Sequence, residues 1–125
     1  MNLYKELLLD HYRYPRNRGE IPAADFSSGE HNPSCGDSVC FQGTINNGSI
    51  SKLMFTGQGC VISQAAASLI SEQCAEKQIT EVLKIDADQL QAMIGMQLGP
   101  MRLKCLLLPL EALHKGLVNY EQSQK

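Results

Sequence analysis

Apolar and polar positions alternate in the middle of the chain and repeat at helical spacing on both sides of it. SVCFQGTI sets Val39, Phe41 and Ile45 on one face, with Cys40, Gln42 and Thr44 on the other. SISKLMFTG follows, with Leu53 and Phe55 sharing a face, and the intervening Asn47-Gly48 is a strong type I′ turn signal. These features predict a β-hairpin. Upstream, Leu3, Leu7, Leu8 and His11 fall on one side of a helix that Asn2 can cap, ending near Tyr12 before Pro15. Residues 16–34 mix Gly, Pro, Asn and Ser and predict a loop, with Phe26 in a short strand.

Downstream, Ile62, Ala66, Leu69, Ile70 and Gln73 recur at helical spacing, and Ser63 is the predicted N-cap of a helix to about Ala75. A short helix from Thr80 and another capped by Asp86 carry Val82, Leu83, Leu90, Met93 and Ile94. Pro100 suits the first turn of a last helix to about Tyr120, whose stripe is Leu103, Leu106, Leu107, Leu110, Leu113 and Leu117. Helix, hairpin, then helices predict an α+β fold: a small antiparallel sheet packed against several helices, in one domain spanning 1–125.

Composition narrows the function. The 125 residues carry 43% hydrophobic side chains and a formal net charge of −2. This is enough apolar material for a core, and it lacks the basic stripe of a nucleic-acid binder. No apolar run approaches the roughly 18 residues needed to cross a bilayer. The N-terminus lacks the apolar core and cleavage site of a signal peptide, so cytoplasm is the expected compartment. The cysteine count, 5, is odd and forbids complete internal pairing, so metal binding, catalysis or plain packing must account for them.

Cys105 lies about 180° from the leucine stripe of the last helix, where a packing cysteine is not expected. Cys60 sits between a strand and a helix start, where backbone N–H groups gather, and Gly57 and Gly59 allow close approach of another group. Cys35 falls in the turn-rich NPSCGD, with Asp37 able to add an oxygen ligand. Cys40, mid-strand, and Cys74, on a helix flank, are expected to be spectators. There is no CxxC pair. Three thiolates and one carboxylate suit tetrahedral zinc, and the same thiolates suit an iron–sulfur cluster with one weaker ligand. His11, His31 and His114 are available to a cysteine hydrolase, but no local motif places one beside a cysteine. His31 is the nearest in sequence to Cys35 and a candidate substitute ligand. A closed structural zinc module for protein binding is a further option.

The motifs LLLDHYRYPRNRG, NPSCGD, GQGCVISQAAAS and RLKC, in that order, resemble those of the NifU/IscU/SufU family of iron–sulfur cluster assembly proteins along nearly the whole chain. The resemblance implies a ligand set of Cys35, Asp37, Cys60 and Cys105. It implies a scaffold that receives sulfur from a cysteine desulfurase, assembles a transient [2Fe–2S] cluster and passes it to apo-proteins or carrier proteins. No nucleic acid or membrane partner is implied. Lys104 stands where the IscU branch has histidine, and RLKC is similar to the SufU branch. That branch implies a zinc-dependent sulfur acceptor with Cys35 as the acceptor thiol. The insertion usual in the SufU branch before this motif is missing, and LGPM replaces the LPPVK at which the IscU branch docks its chaperone. A protonated lysine cannot ligate metal. Lys104 and the nearby Arg102 are instead placed to offset the negative charge of a thiolate-rich centre.

Overall fold

The computed structural model describes residues 3–34 and 36–124, with side chains from Lys5 onward. The expected cap Asn2 and the candidate ligand Cys35 lie outside the described residues. The element order is α1 (Leu3–Arg13), β1 (Phe26–Asn32), β2 (Asp37–Asn46), β3 (Ser49–Gln58), α2 (Val61–Cys74), α3 (Ile79–Leu83), α4 (Ala87–Ile94) and α5 (Pro100–Ser123). The strands form one antiparallel sheet in the order β1-β2-β3, and α2 and α5 pack on one face of it. The fold is α+β, as the pattern predicts.

The hairpin forms where alternation and turn chemistry agree. Asn47 and Gly48 adopt φ of 52° and 77°, as a type I′ turn demands. Val39, Phe41, Leu53 and Phe55 are buried beneath the helices. Residues 26–32, expected to be mostly loop, form the full strand β1, with Phe26 paired to Gly43 and Asn32 to Asp37. Its inward positions are Phe26 and Ser28 rather than an apolar series. Gly116 of α5 makes this workable, since a Cβ there would run into Phe26 and Ser28. Helix and strand meet too closely for larger side chains.

The polar tail after α1 is tied to α2. The buried His11 has Nδ1 at 2.8 Å from Ser68 Oγ, and the Arg16 peptide N–H donates to the same oxygen at 2.8 Å. Ser71 Oγ donates to the Arg16 carbonyl at 3.1 Å. Helix α2 is surrounded: every residue from Ser63 to Ser71 is buried, so its packing is broader than the single stripe expected, and Gln73 of that stripe is exposed. Three consecutive alanines, Ala65–Ala67, let its neighbours approach. Cys74, expected on a flank, is 0% exposed in the core, and burial pushes its thiol up to about 11.

Helix α3 starts at Ile79 rather than Thr80. Helix α4 is capped by Asp86 with a full capping box to Gln89. Helix α5 begins at Pro100 as expected and runs past Tyr120 to Ser123. Among the described residues no helix is long and apolar enough to cross a membrane.

Candidate metal and cluster site

Three segments distant in sequence meet at one end of the sheet. Asp37 opens β2, Cys60 immediately precedes α2, and Cys105 lies in the second turn of α5. The two sulfurs and a carboxylate oxygen of Asp37 lie within 4.8 Å of one another. Asp37 is 1% exposed and Cys105 is 8% exposed, whereas Cys60 is open to solvent.

The junction carrying Cys60 is shaped by backbone geometry. Gly59 has φ of +140°, and a Cβ on it would collide with the Asp37 carboxylate. Glycine is therefore needed for both reasons at this one point. The turn delivers the Cys60 peptide N–H to Asp37 Oδ1 at 2.7 Å and the Cys60 thiol to Oδ2 at 3.5 Å. Cys60 is itself the N-cap of α2, where Ser63 was expected. Its sulfur accepts the Ser63 N–H at 3.4 Å, and Ser63 Oγ donates back to the Cys60 carbonyl at 3.2 Å. The helix starts three residues early because the thiol takes the acceptor role usually filled by a hydroxyl or carboxylate.

Cys105 is buried, contrary to its expected place opposite the packed face. Helix α5 is covered along two sides, by leucines against the other helices and by a second line of residues, Cys105, Leu108, Pro109, Ala112 and Gly116. Cys105 begins that second line. Pro109, one turn later, has no N–H to donate to the Cys105 carbonyl. Burial, then hydrogen bonding to Asp37 and Cys60, then their negative charge all push the Cys105 thiol strongly upward. Two thiols and a carboxylate held this close repel one another when ionised, and a bound cation relieves that repulsion. The donor set fits a soft metal centre with one harder, more exchangeable ligand.

The other candidates lie elsewhere. Cys40 is half-buried on the outer sheet face, 3.7 Å from Ser27 Oγ. Cys74 is in the core. His31 is exposed on β1. His114 Nε2 lies 2.8 Å from the Val82 carbonyl, and His11 is engaged with Ser68. Arg102 and Lys104 are exposed on the first turns of α5, flanking Cys105. A groove of about 290 Å³ next to Lys104 is lined also by Glu30, His31, Asn32 and Glu111. Two polar residues escaped sequence reasoning: Ser63, as a hydrogen-bond donor to the Cys60 sulfur, and Gln64, which is 5% exposed beside it.

The fold and the convergent donors define a small metal- or cluster-handling domain. Residues 3–125 match the family model described as NifU-like N-terminal domain, and the chain belongs to that family. It is 29% identical to the zinc-dependent sulfurtransferase SufU of Bacillus subtilis, over 95% of this chain and 92% of that protein. It is 30% identical to the iron–sulfur cluster assembly scaffold protein IscU of Haemophilus influenzae, over 97% of this chain and 98% of the relative. Among solved structures, the protein from Fervidobacterium islandicum AW-1 assigned as a cluster assembly scaffold for the SUF system superposes with TM-score 0.78. That match has 29% identity and covers 90% of this chain and 94% of the other.

Proposed function

We propose that this protein is an iron–sulfur cluster assembly scaffold, with Cys35, Cys60, Cys105 and Asp37 as the residues that hold its cargo. The observation that carries the reading is the meeting of Asp37, Cys60 and Cys105 from three separate elements within 4.8 Å. On this reading a cysteine desulfurase supplies persulfide sulfur, iron(II) and a separate thiol or electron-carrier reductant bring it to sulfide, and the resulting [2Fe–2S] cluster leaves for an apo-protein or carrier. Cys35 is the proposed first sulfur acceptor. A carboxylate among thiolates gives the cluster one weak bond, which suits a carrier that must let go. Arg102 and Lys104 offset the negative charge of the loaded site. The protein acts in the cytoplasm, as one domain over residues 1–125.

Anaerobic reconstitution with iron(II), cysteine, a thiol reductant and a cysteine desulfurase tests this. A visible spectrum of a [2Fe–2S] centre, followed by its transfer to an apo-ferredoxin, is expected. Sulfur uptake without any such spectrum would overturn the scaffold reading.

One observation favours a second reading. The site has Lys104 beside Cys105 and, among the described residues, no histidine within the donor group. This fits a zinc-dependent sulfur acceptor. Zinc would there hold the sulfurs as anions, and Cys35 would accept sulfur from the desulfurase. Persistent zinc after purification, with sulfur acceptance lost on its removal, is its signature.

A further inference from the structure

Behind the donor residues lies a buried amide that their ligand role does not use. Gln64 is 5% exposed on the first turn of α2. Its Nε2 has two N–H donors, and both are engaged: one to the Ser38 carbonyl at 3.2 Å, the other to Ser63 Oγ at 3.1 Å. Ser38 adjoins Asp37 on β2. Ser63 touches Cys60 through its N–H to sulfur at 3.4 Å, its hydroxyl to the carbonyl at 3.2 Å, and its hydroxyl near the sulfur at 3.7 Å. Gln64 Oε1 is buried with no partner among the described residues. It points at Gly57 of β3, where a Cβ would stand 3.1 Å from it. A buried acceptor without a donor is a cost that native structures rarely carry unexplained. Here the amide is held in that orientation by the two bonds its nitrogen makes.

We propose that Gln64 is a positioning residue that clamps the Cys60 turn to the strand bearing Asp37 and fixes the Ser63 hydroxyl that faces the Cys60 sulfur. Among the described residues, two side-chain links cross from β2 to this junction: the Asp37 carboxylate to Cys60, and the Gln64 amide to Ser38. The first is occupied when Asp37 serves as a ligand. The second leaves the donors free and keeps the turn in place. Gln64 therefore matters most when Asp37 is withdrawn. This rests on the reading of Asp37 and Cys60 as cargo ligands, but its test does not require cargo.

The test uses the full-length, metal-free chain, pulsed with iodoacetamide and mapped by mass spectrometry, with the half-buried Cys40 as internal reference. Gln64→Met, close in volume but without donors, should raise Cys60 labelling several-fold relative to Cys40. Gln64→Glu, which when ionised lacks the N–H groups, should act in the same direction. Asp37→Ala combined with Gln64→Met should exceed the product of the single effects. With cobalt(II) as the probe metal, Gln64→Met should shift the sulfur-to-metal absorption bands. Wild-type labelling and an unchanged cobalt spectrum in both variants would overturn the proposal, as would strictly independent effects in the double variant. Should Gln64→Met fail to fold, Gln64→Glu and Ser63→Ala carry the same comparison. Accelerated labelling in a chain that never assembles a cluster would support Gln64's role while sinking the scaffold reading.

Discussion

Asp37 holds Cys60 at two atoms at once: Oδ1 takes the peptide N–H at 2.7 Å and Oδ2 faces the thiol at 3.5 Å. The carboxylate is therefore both a candidate ligand and the brace of the turn that presents the neighbouring sulfur. On the proposed reading the two roles compete for the same oxygens.

Asp37→Ala separates the functional readings. A scaffold should keep its [2Fe–2S] cluster longer, because the exchangeable ligand is gone and release is impaired. A zinc-dependent acceptor should instead lose zinc affinity by about tenfold or more, since one of four ligands contributes at least ~1.4 kcal/mol on that scale. Cluster decay in visible absorbance and zinc competition with a chromophoric chelator measure the two. Unchanged values in both would leave Asp37 as a turn residue only.

Gly59→Ala should damage the site out of proportion to its size. The new methyl meets the Asp37 carboxylate, and φ of +140° strains any L side chain. A loss of roughly 1–3 kcal/mol in urea unfolding is expected, together with lost metal retention. Gly48→Ala is a control, because nothing lies within 4 Å of its would-be Cβ although its φ is also positive. It should cost stability without touching metal binding.

His11 makes stability pH-dependent. Burial lowers its pKa, Arg16 lowers it further, and Glu72 and Asp10 oppose this only in part. In the unfolded chain the imidazole takes a proton near pH ~6.5, while the folded protein still resists it. The unfolded state then binds more protons, so stability is full above that pH and declines as pH falls through the lowered folded value. Thermal melts at descending pH should show this decline, and His11→Gln should flatten it. A melt insensitive to pH in the wild type would contradict the assignment.

Cys74 gives the opposite dependence at alkaline pH. Its thiol is pushed from 9.0 up to about 11, chiefly by burial. Unfolding lets it ionise earlier, so stability should fall as pH rises from about 9 toward 11. In the native protein Cys74 should resist a thiol reagent at pH 8 while Cys60 and Cys40 react. Labelling of Cys74 at the rate of Cys40 would mean that the core opens locally.

The legible parts of the chain were those where one signal had one cause. Asn47-Gly48 and the alternation around it specify the hairpin, and Asp86 marks the start of α4. Strand β1 was hidden because its inward face is Phe26 and Ser28, made tolerable only by Gly116 some ninety residues away. Cys105 was misplaced because the leucines of α5 mark just one of its two buried sides. The other side is written in small residues, Ala112 and Gly116, seven and eleven positions on, a spacing that could have been read. Cys60 as a cap was obscured by Ser63, a commoner capping residue close by. Gln64 had no signal at all, since a glutamine among alanines reads as a solvent-facing position until the packing around α2 is known.

The three donors leave the ribosome at different times. Asp37 and Cys60 are 23 residues apart, and Cys105 follows Cys60 by another 45 (105 − 60). Asp37 and Cys60 sit at the β2 and α2 side of the site, and Cys105 joins them only where α5 packs against the sheet and α2. The donor group is thus complete only where α5 is docked. During synthesis the sheet and α2 leave the ribosome before Cys105 does. A growing chain at that stage holds Asp37 and Cys60 without their buried neighbour Cys105. On the proposed reading, loading waits until the last helix is in place.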